Sequence, residues 1–373
     1  MSGRIDELHA LGQALWYDNI ERGILKNGAL AQMITDGDIR GVTSNPSIFK
    51  KAIAQTSEYD RALVPLAKKG LDKVGIYEAL AVEDIQAAAD LFAPLYRESS
   101  GGDGYVSMEV SPFLAHDTQG TLKDAKRIWA MVDRPNLMVK IPATKEGLPA
   151  ITEAIAEGMN INVTLIFSLD RYQEVMQAYL SGLEKRLEQG LPIDGIASVA
   201  SFFVSRIDTN VDKRLDAIAE AEGSKTSKAA ALKGKLAVAS AKLAYQEFRK
   251  TFNSPRFKAL EKRGANIQRP LWASTSTKNP AYPDTLYVDS LIGPHTVNTV
   301  PPKTLKAFKD HGTVALTLEQ GVEDARSVFA EVEALGVSMA AVTQELEDKG
   351  VESFADAFTA LLASIEDRRK KSL

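Results

Sequence analysis

Short apolar runs, many of them β-branched, alternate along the chain with longer stretches in which apolar positions recur every three or four residues. The first pattern suits buried parallel strands and the second amphipathic helices, so the alternation predicts strands joined by helical crossovers. Strand-like runs fall at Ala14–Asp18, Gly41–Thr43, Tyr105–Val110, Leu137–Ile141, Ile161–Phe167, Ile196–Ser201, Pro270–Ser274 and Thr296–Val300. Helical stretches lie between them at Ser57–Lys69, Ile76–Arg97, Thr121–Met131, Gly147–Glu157, Leu169–Glu188 and across a long Arg206–Lys262 region. Gly158 and Gly264 stand where a left-handed residue would end a helix.

Eight strands with intervening helices over roughly 300 residues predict an α/β protein, a (β/α)8 TIM barrel, whose chemistry sits at the C-terminal ends of its strands. An open doubly wound sheet is the alternative. It is disfavoured because neither GxGxxG nor GxxxxGK[ST] occurs, which leaves no Gly-rich phosphate cradle. Beyond Val300 the pattern is helical only, at Pro302–Asp310, Leu318–Leu335, Met339–Lys349 and Val351–Lys370. The expected organisation is one barrel domain over 1–373, with about 311–373 as additional C-terminal helices packed on it.

Composition narrows the function. With 45 Lys+Arg against 49 Asp+Glu the net charge is −4, which offers no basic footprint for nucleic acid. At 45% hydrophobic and 25% charged, the chain can bury a large core. The absence of cysteine removes disulfides, thiolate nucleophiles and Cys-ligated metals, and suits a reducing compartment. Four scattered histidines (His9, His116, His295, His311) form no ligand spacing, so a His-based metal site or His-centred triad has little to work with. The charged N-terminal stretch MSGRIDELHALG does not read as a signal peptide and no window is apolar enough to span a bilayer, so a cytoplasmic protein without membrane contact is expected. Monomer and homodimer both stay open.

Strand parity locates the chemistry, because alternate side chains face opposite sides of a strand. In Leu137–Ile141 the apolar set Leu137, Val139 and Ile141 faces the helices, which turns Lys140 inward beside Met138 near the rim. Desolvating an ammonium lowers its proton affinity and frees the lone pair to attack a carbonyl. The bland alternative is a solvated or salt-bridged edge lysine. Neighbouring strands weigh against it: parity turns Ser107 and Glu109 inward, and likewise Asn162 and Thr164. Thr43, Asn45, Ser201 and Ser274 lie at strand ends with position and parity to join them. Serine and threonine there often cap the next helix, yet so many polar groups in a barrel interior otherwise filled by Val, Ile and Leu predict a polar catalytic pocket.

The stretches GVTSNPSIF (Gly41–Phe49), NLMVKIPATKEG (Asn136–Gly147) and INVTLIFS (Ile161–Ser168) resemble the transaldolase family in order and spacing. The resemblance runs over about residues 14–310, and the C-terminal helices with an insertion near Ser224–Lys262 are similar to the longer bacterial members. It implies a Schiff-base transferase of the non-oxidative pentose phosphate pathway, one that requires no metal or organic cofactor. Such an enzyme moves a dihydroxyacetone unit from sedoheptulose 7-phosphate to glyceraldehyde 3-phosphate, giving erythrose 4-phosphate and fructose 6-phosphate. By resemblance Lys140 is the nucleophile, Glu109 an acid/base acting through a water that Thr164 helps to hold, and Asp18 the acid/base at the C4 hydroxyl. Asn45, Asn162 and Ser201 match residues that hold the dihydroxyacetone hydroxyls, with Thr43 beside them. Two alternatives accompany these roles, Glu109 as a structural ion pair with Lys140 and Asp18 as a helix cap before Ile20–Lys26.

Arg206, in FFVSRID, matches a family arginine that grips the substrate phosphate, and Ser274 a phosphate-binding serine. Compact members carry a second arginine where this chain has Ser276. The expectation is that Ser274, Ser276 and Lys278 together supply what is lost. Two other functions compete: a fructose 6-phosphate aldolase that releases free dihydroxyacetone, and a catalytically silent barrel that binds sugar phosphates or a partner. Glu109 weighs against the aldolase, which typically has an uncharged residue there, and the intact Lys140, Glu109 and Asp18 set weighs against silence.

Overall fold

The structure is a computed structural model that describes residues 3–221 and 225–373; Met1, Ser2 and Ser224 of the sequence reading lie outside the described residues. Eight parallel strands close in sequence order into a barrel. They are β1 (Gln13–Tyr17), β2 (Gly41–Val42), β3 (Tyr105–Glu109), β4 (Leu137–Pro142), β5 (Ile161–Ile166), β6 (Ser198–Phe203), β7 (Gln268–Ala273) and β8 (Thr296–Val300). Closure runs through β1 and β8, which pair along their whole length from Gln13–Thr296 to Tyr17–Val300. Both faces of each strand are covered, which is why the strands read as nearly continuous apolar runs.

The outer layer follows the predicted crossovers, among them helices Lys73–Glu98, Thr118–Val132, Gly147–Ala156 and Leu169–Glu188. Their starts are fixed by side-chain caps: Asp72 accepts from the Gly75 N–H, Asp117 from Gly120 and Ser168 from Arg171. Gly158 and Gly264 are left-handed (φ 95° and 92°), as their positions predict. The Arg206–Lys262 region is divided into helices Ser205–Glu220, Thr226–Leu232, Leu236–Phe252 and Pro255–Glu261.

Three details differ from the sequence reading. Strand β6 is displaced by two residues toward the C-terminus, so Ser201 lies within it rather than at its end. Ser274 has the parity of Trp272, whose ring packs against Phe202 while its neighbour Ala273 lines the mouth; strand parity alone would therefore turn Ser274 outward. It reaches the mouth because β7 stops at Ala273 and Ser274 adopts φ 56°.

The third is at the C-terminus, where one helix, Met339–Ser372, replaces two predicted segments divided at Gly350. Gly350 does not end that helix. It lets the helix lie close over β5, since a Cβ there would stand 3.0 Å from Leu165 Cδ2. Leu165 is itself left-handed (φ 60°) at a register shift between β5 and β6, so a bulge swings it up to meet the glycine. The far end of the helix is tied down by Arg368, which donates to the carbonyls of Ala54 and Thr56. Among the described residues no helix is long and apolar enough to cross a membrane.

Candidate active site

A cavity of about 190 Å³ opens at the C-terminal end of the barrel. Asp18 and Thr43, just past β1 and β2, line it with Lys140 from β4 and Thr164 from β5. Ser201 and Phe203 of β6, Ala273 of β7 and Thr299 of β8 complete the inner wall.

Lys140 is 5% exposed, its amine aimed across the lumen where Nζ donates to the Ser44 carbonyl at 2.9 Å. Glu109 is its register neighbour on β3, and Glu109 Oε2 stands 3.8 Å from Nζ. That oxygen and the Thr164 Oγ1 are buried with no hydrogen-bond partner among the described residues. Buried polar atoms are normally satisfied, so two orphans on either side of a lysine mark a place for a ligand or water. Burial pushes the Glu109 carboxyl up to about 7; the Lys140 ammonium pulls against this and the Asp18 carboxylate adds to it.

Asp18 is not a helix cap. The next helix begins at Arg22, while Asp18 accepts from Thr43 Oγ1 at 2.7 Å. Thr43 has one hydroxyl proton and gives it to Asp18, so the 2.6 Å contact between Thr43 and Thr299 is a donation from Thr299. Burial raises the Asp18 carboxyl above the usual range, and the Thr43 hydroxyl, Lys140 and Lys278 partly offset this.

Asn162 and Ser201 meet, but as a pair: Ser201 donates to Asn162 Oδ1 at 2.7 Å and Asn162 Nδ2 donates to Ser107 at 3.1 Å. Only Ser201 reaches the cavity wall. Asn45 lines the cavity, but its Oδ1 caps helix Pro46–Phe49 by accepting from the Ile48 N–H, which leaves the amide nitrogen to donate elsewhere. Glu109 lies behind Lys140, bordering a neighbouring cavity of about 180 Å³ walled by Phe49, Tyr77, Ile128 and Phe358.

The rim is cationic. Arg206 sits in the first turn of the helix after β6, so strand and helix together fix its Cα. Its guanidinium lies over the rings of Phe203 (5.1 Å) and Phe354 (5.9 Å) and has no hydrogen bond or ion pair among the described residues. Burial lowers its proton affinity, opposed by Glu109. Lys278 Nζ donates to Ser276, and Ser274 pairs with Ser205 at 3.0 Å. Burial and then Arg206 lower the Lys278 proton affinity, which Asp18 raises. Two desolvated cations without a carboxylate partner among the described residues can hold an anion.

Four participants went unnoticed in the sequence, among them Phe203, which lies past the predicted end of its strand. Thr299 lies on β8 with inward parity and could have been found. The Ser44 carbonyl is a backbone group, and Phe354 stands in an ordinary apolar stripe of the C-terminal helix; neither has a sequence signal.

A closed barrel with a buried lysine beside a carboxylate, under two cations that have no carboxylate partner among the described residues, fits the class of lysine-dependent carbonyl enzymes. The family model described as Transaldolase/Fructose-6-phosphate aldolase matches residues 15–365, and the chain belongs to that family. It is 48% identical over 373 residues to the Transaldolase of Frankia alni, covering 100% of this chain and 99% of that one. The Transaldolase of Thermobifida fusca is 50% identical over 363 residues, 97% of each chain. Transaldolase 2 of Streptomyces coelicolor is 48% identical over 372 residues, 100% of this chain and 98% of its own.

Proposed function

We infer that this chain works as a transaldolase, a transferase that moves a dihydroxyacetone unit from sedoheptulose 7-phosphate to glyceraldehyde 3-phosphate. Full-length kinship to transaldolases supports the activity. The observation that carries the residue roles is the buried Lys140 amine, 3.8 Å from a carboxyl that burial pushes up to about 7.

Lys140 Nζ attacks the ketose C2, forming the C–N bond of a carbinolamine. Glu109 and a water held near Thr164 shuttle the protons that release hydroxide from C2 as water, leaving the protonated imine. Asp18, with its carboxyl poised by Thr43, takes the C4 hydroxyl proton. The C3–C4 bond then breaks, its electron pair enters the imine to give an enamine, and the aldose leaves. The acceptor aldehyde reverses these steps, and water hydrolyses the final imine. Asn45 and Ser201 hold the dihydroxyacetone hydroxyls, while Asn162 holds Ser201. Arg206 and Lys278, with Ser274 and Ser276, bind the phosphate. The scheme draws on side chains alone, with no metal or organic cofactor.

Residues 1–373 form one barrel domain in this reading, with 311–373 as its helical extension. Phosphorylated sugars do not cross membranes unaided, which favours a cytoplasmic setting for their enzyme.

Borohydride reduction with fructose 6-phosphate, followed by mass spectrometry, tests the scheme. The expected result is a reduced adduct on Lys140; an adduct on another lysine, or none, would falsify it. Transfer to an added acceptor aldehyde should outpace release of free dihydroxyacetone, and the reverse order would make the chain an aldolase.

A further inference from the structure

The C-terminal helix crosses the barrel mouth and places Phe354, itself 5% exposed, in the wall of the substrate cavity. We propose that Phe354 is a specificity-determining residue, whose ring holds the Arg206 guanidinium in place for the phosphate of the sugar. The proposal rests on the phosphate-binding reading of Arg206.

An arginine that has to bind a substrate anion faces a conflict. Any carboxylate that fixed its position would occupy the donors the substrate needs, and with no neighbour at all a long side chain would wander. Aromatic faces resolve this, because they attract the cation without using its N–H groups. Phe203, three residues before Arg206, gives one such face, and Phe354 contributes a second from the far end of the chain.

Phe354 is well placed for a positioning role because the turns on either side of it are anchored. One turn earlier, Gly350 rests against Leu165 of the β5 bulge. One turn later, Phe358 meets Tyr77 edge-on at 5.1 Å. Phe354 also borders the small void beside Glu109, together with Leu165 and Val351, so the ring stands between the mouth and the surroundings of the acid/base.

The test compares Phe354→Leu, which keeps apolar bulk without a ring, with Phe354→Trp and Arg206→Ala, all in the full chain. Inorganic phosphate serves as a competitive inhibitor against fructose 6-phosphate, and circular dichroism melts confirm folding. In Phe354→Leu the phosphate inhibition constant and the KM for fructose 6-phosphate should both rise by about fivefold, more than kcat falls, and Phe354→Trp should restore both. A phosphate constant within twofold of the parent in Phe354→Leu, while Arg206→Ala weakens it, overturns the proposal alone. A tryptophan variant as weak as the leucine one also overturns it, since packing and not the ring face would then matter. If Arg206→Ala leaves phosphate inhibition unchanged, the phosphate reading of Arg206 fails and takes the proposal with it.

Discussion

At the N-terminal end of the barrel, Arg269 of β7 donates to the carbonyls of Gly102 and Thr296 and to Asp103, which also receives Arg40 at 3.2 Å. At the C-terminal end, Arg206 donates to no group among the described residues. Uncharged side chains do not divide the same way. On the floor, Gln13 donates to Leu291 and Thr296 and Gln268 to Ser198, yet the Oε1 of each is buried without a partner among the described residues, just as Thr164 Oγ1 and Glu109 Oε2 are at the mouth. Both ends are polar, and both would look alike in a composition count. What separates the two ends is the state of their cations: the donors of Arg269 are spent on the fold, whereas those of Arg206 are left for a ligand.

The largest effect that would sharpen this contrast is at Glu109. Glu109→Gln should lower kcat by about 10²–10⁴-fold and remove an inflection near pH 7 from the kcat/KM profile. Its stability effect has the opposite sign. The folded carboxyl titrates above its unfolded counterpart, so its contribution is full below the ordinary carboxylate range and drains away as pH climbs to about 7. Glu109→Gln should therefore melt above the parent at pH 8, with the gap closing by pH 4. A variant both inactive and less stable at pH 8 would place Glu109 on the structural side.

Next comes Lys278→Ala, for which KM for phosphorylated substrates should rise by about tenfold, more than kcat falls. An unchanged KM would remove Lys278 from the anion site. On the floor, Arg269→Ala should cost about 2 kcal/mol of stability in denaturant unfolding, because Asp103 and two carbonyls lose a donor. Turnover of the folded variant should match the parent, and a large loss of kcat would break the division of labour.

The smallest effect concerns His9, whose Nδ1 accepts from Arg40 at 3.2 Å. Burial, reinforced by Arg40, lowers it to about 4. The unfolded chain takes up a proton first as pH falls below about 6.5, so stability is lost between there and pH 4. The loss at pH 6 should be under about 1 kcal/mol, and a His9→Gln variant should show a flatter acid limb in thermal melts.

Much of this site was legible because a β-strand has only two faces. Lys140 stands out between Val139 and Ile141, and nothing but an inward position suits the run. Parity fails where a strand stops: Ser274 turns inward through a left-handed backbone that no alternation rule contains. It also says nothing about which inward polar groups satisfy one another, so the hydrogen bond between Ser201 and Asn162 had no signal in the sequence. Gly350 misled for a different reason. Glycine is a plausible helix stop, and only the bulge at Leu165, remote in sequence, makes its missing side chain a packing requirement.

The path of helix Met339–Ser372 over β5 and back to Ala54 and Thr56 has a consequence for biosynthesis. A ribosome synthesises all eight strands before this helix, and at about 5–20 residues per second the interval from Val300 to Ser372 is on the order of ten seconds. During that time a nascent chain can carry a closed barrel whose lysine is in place while the covering over its entrance is still being translated. Competence toward sugar phosphates is thus acquired late, after the barrel itself can be complete.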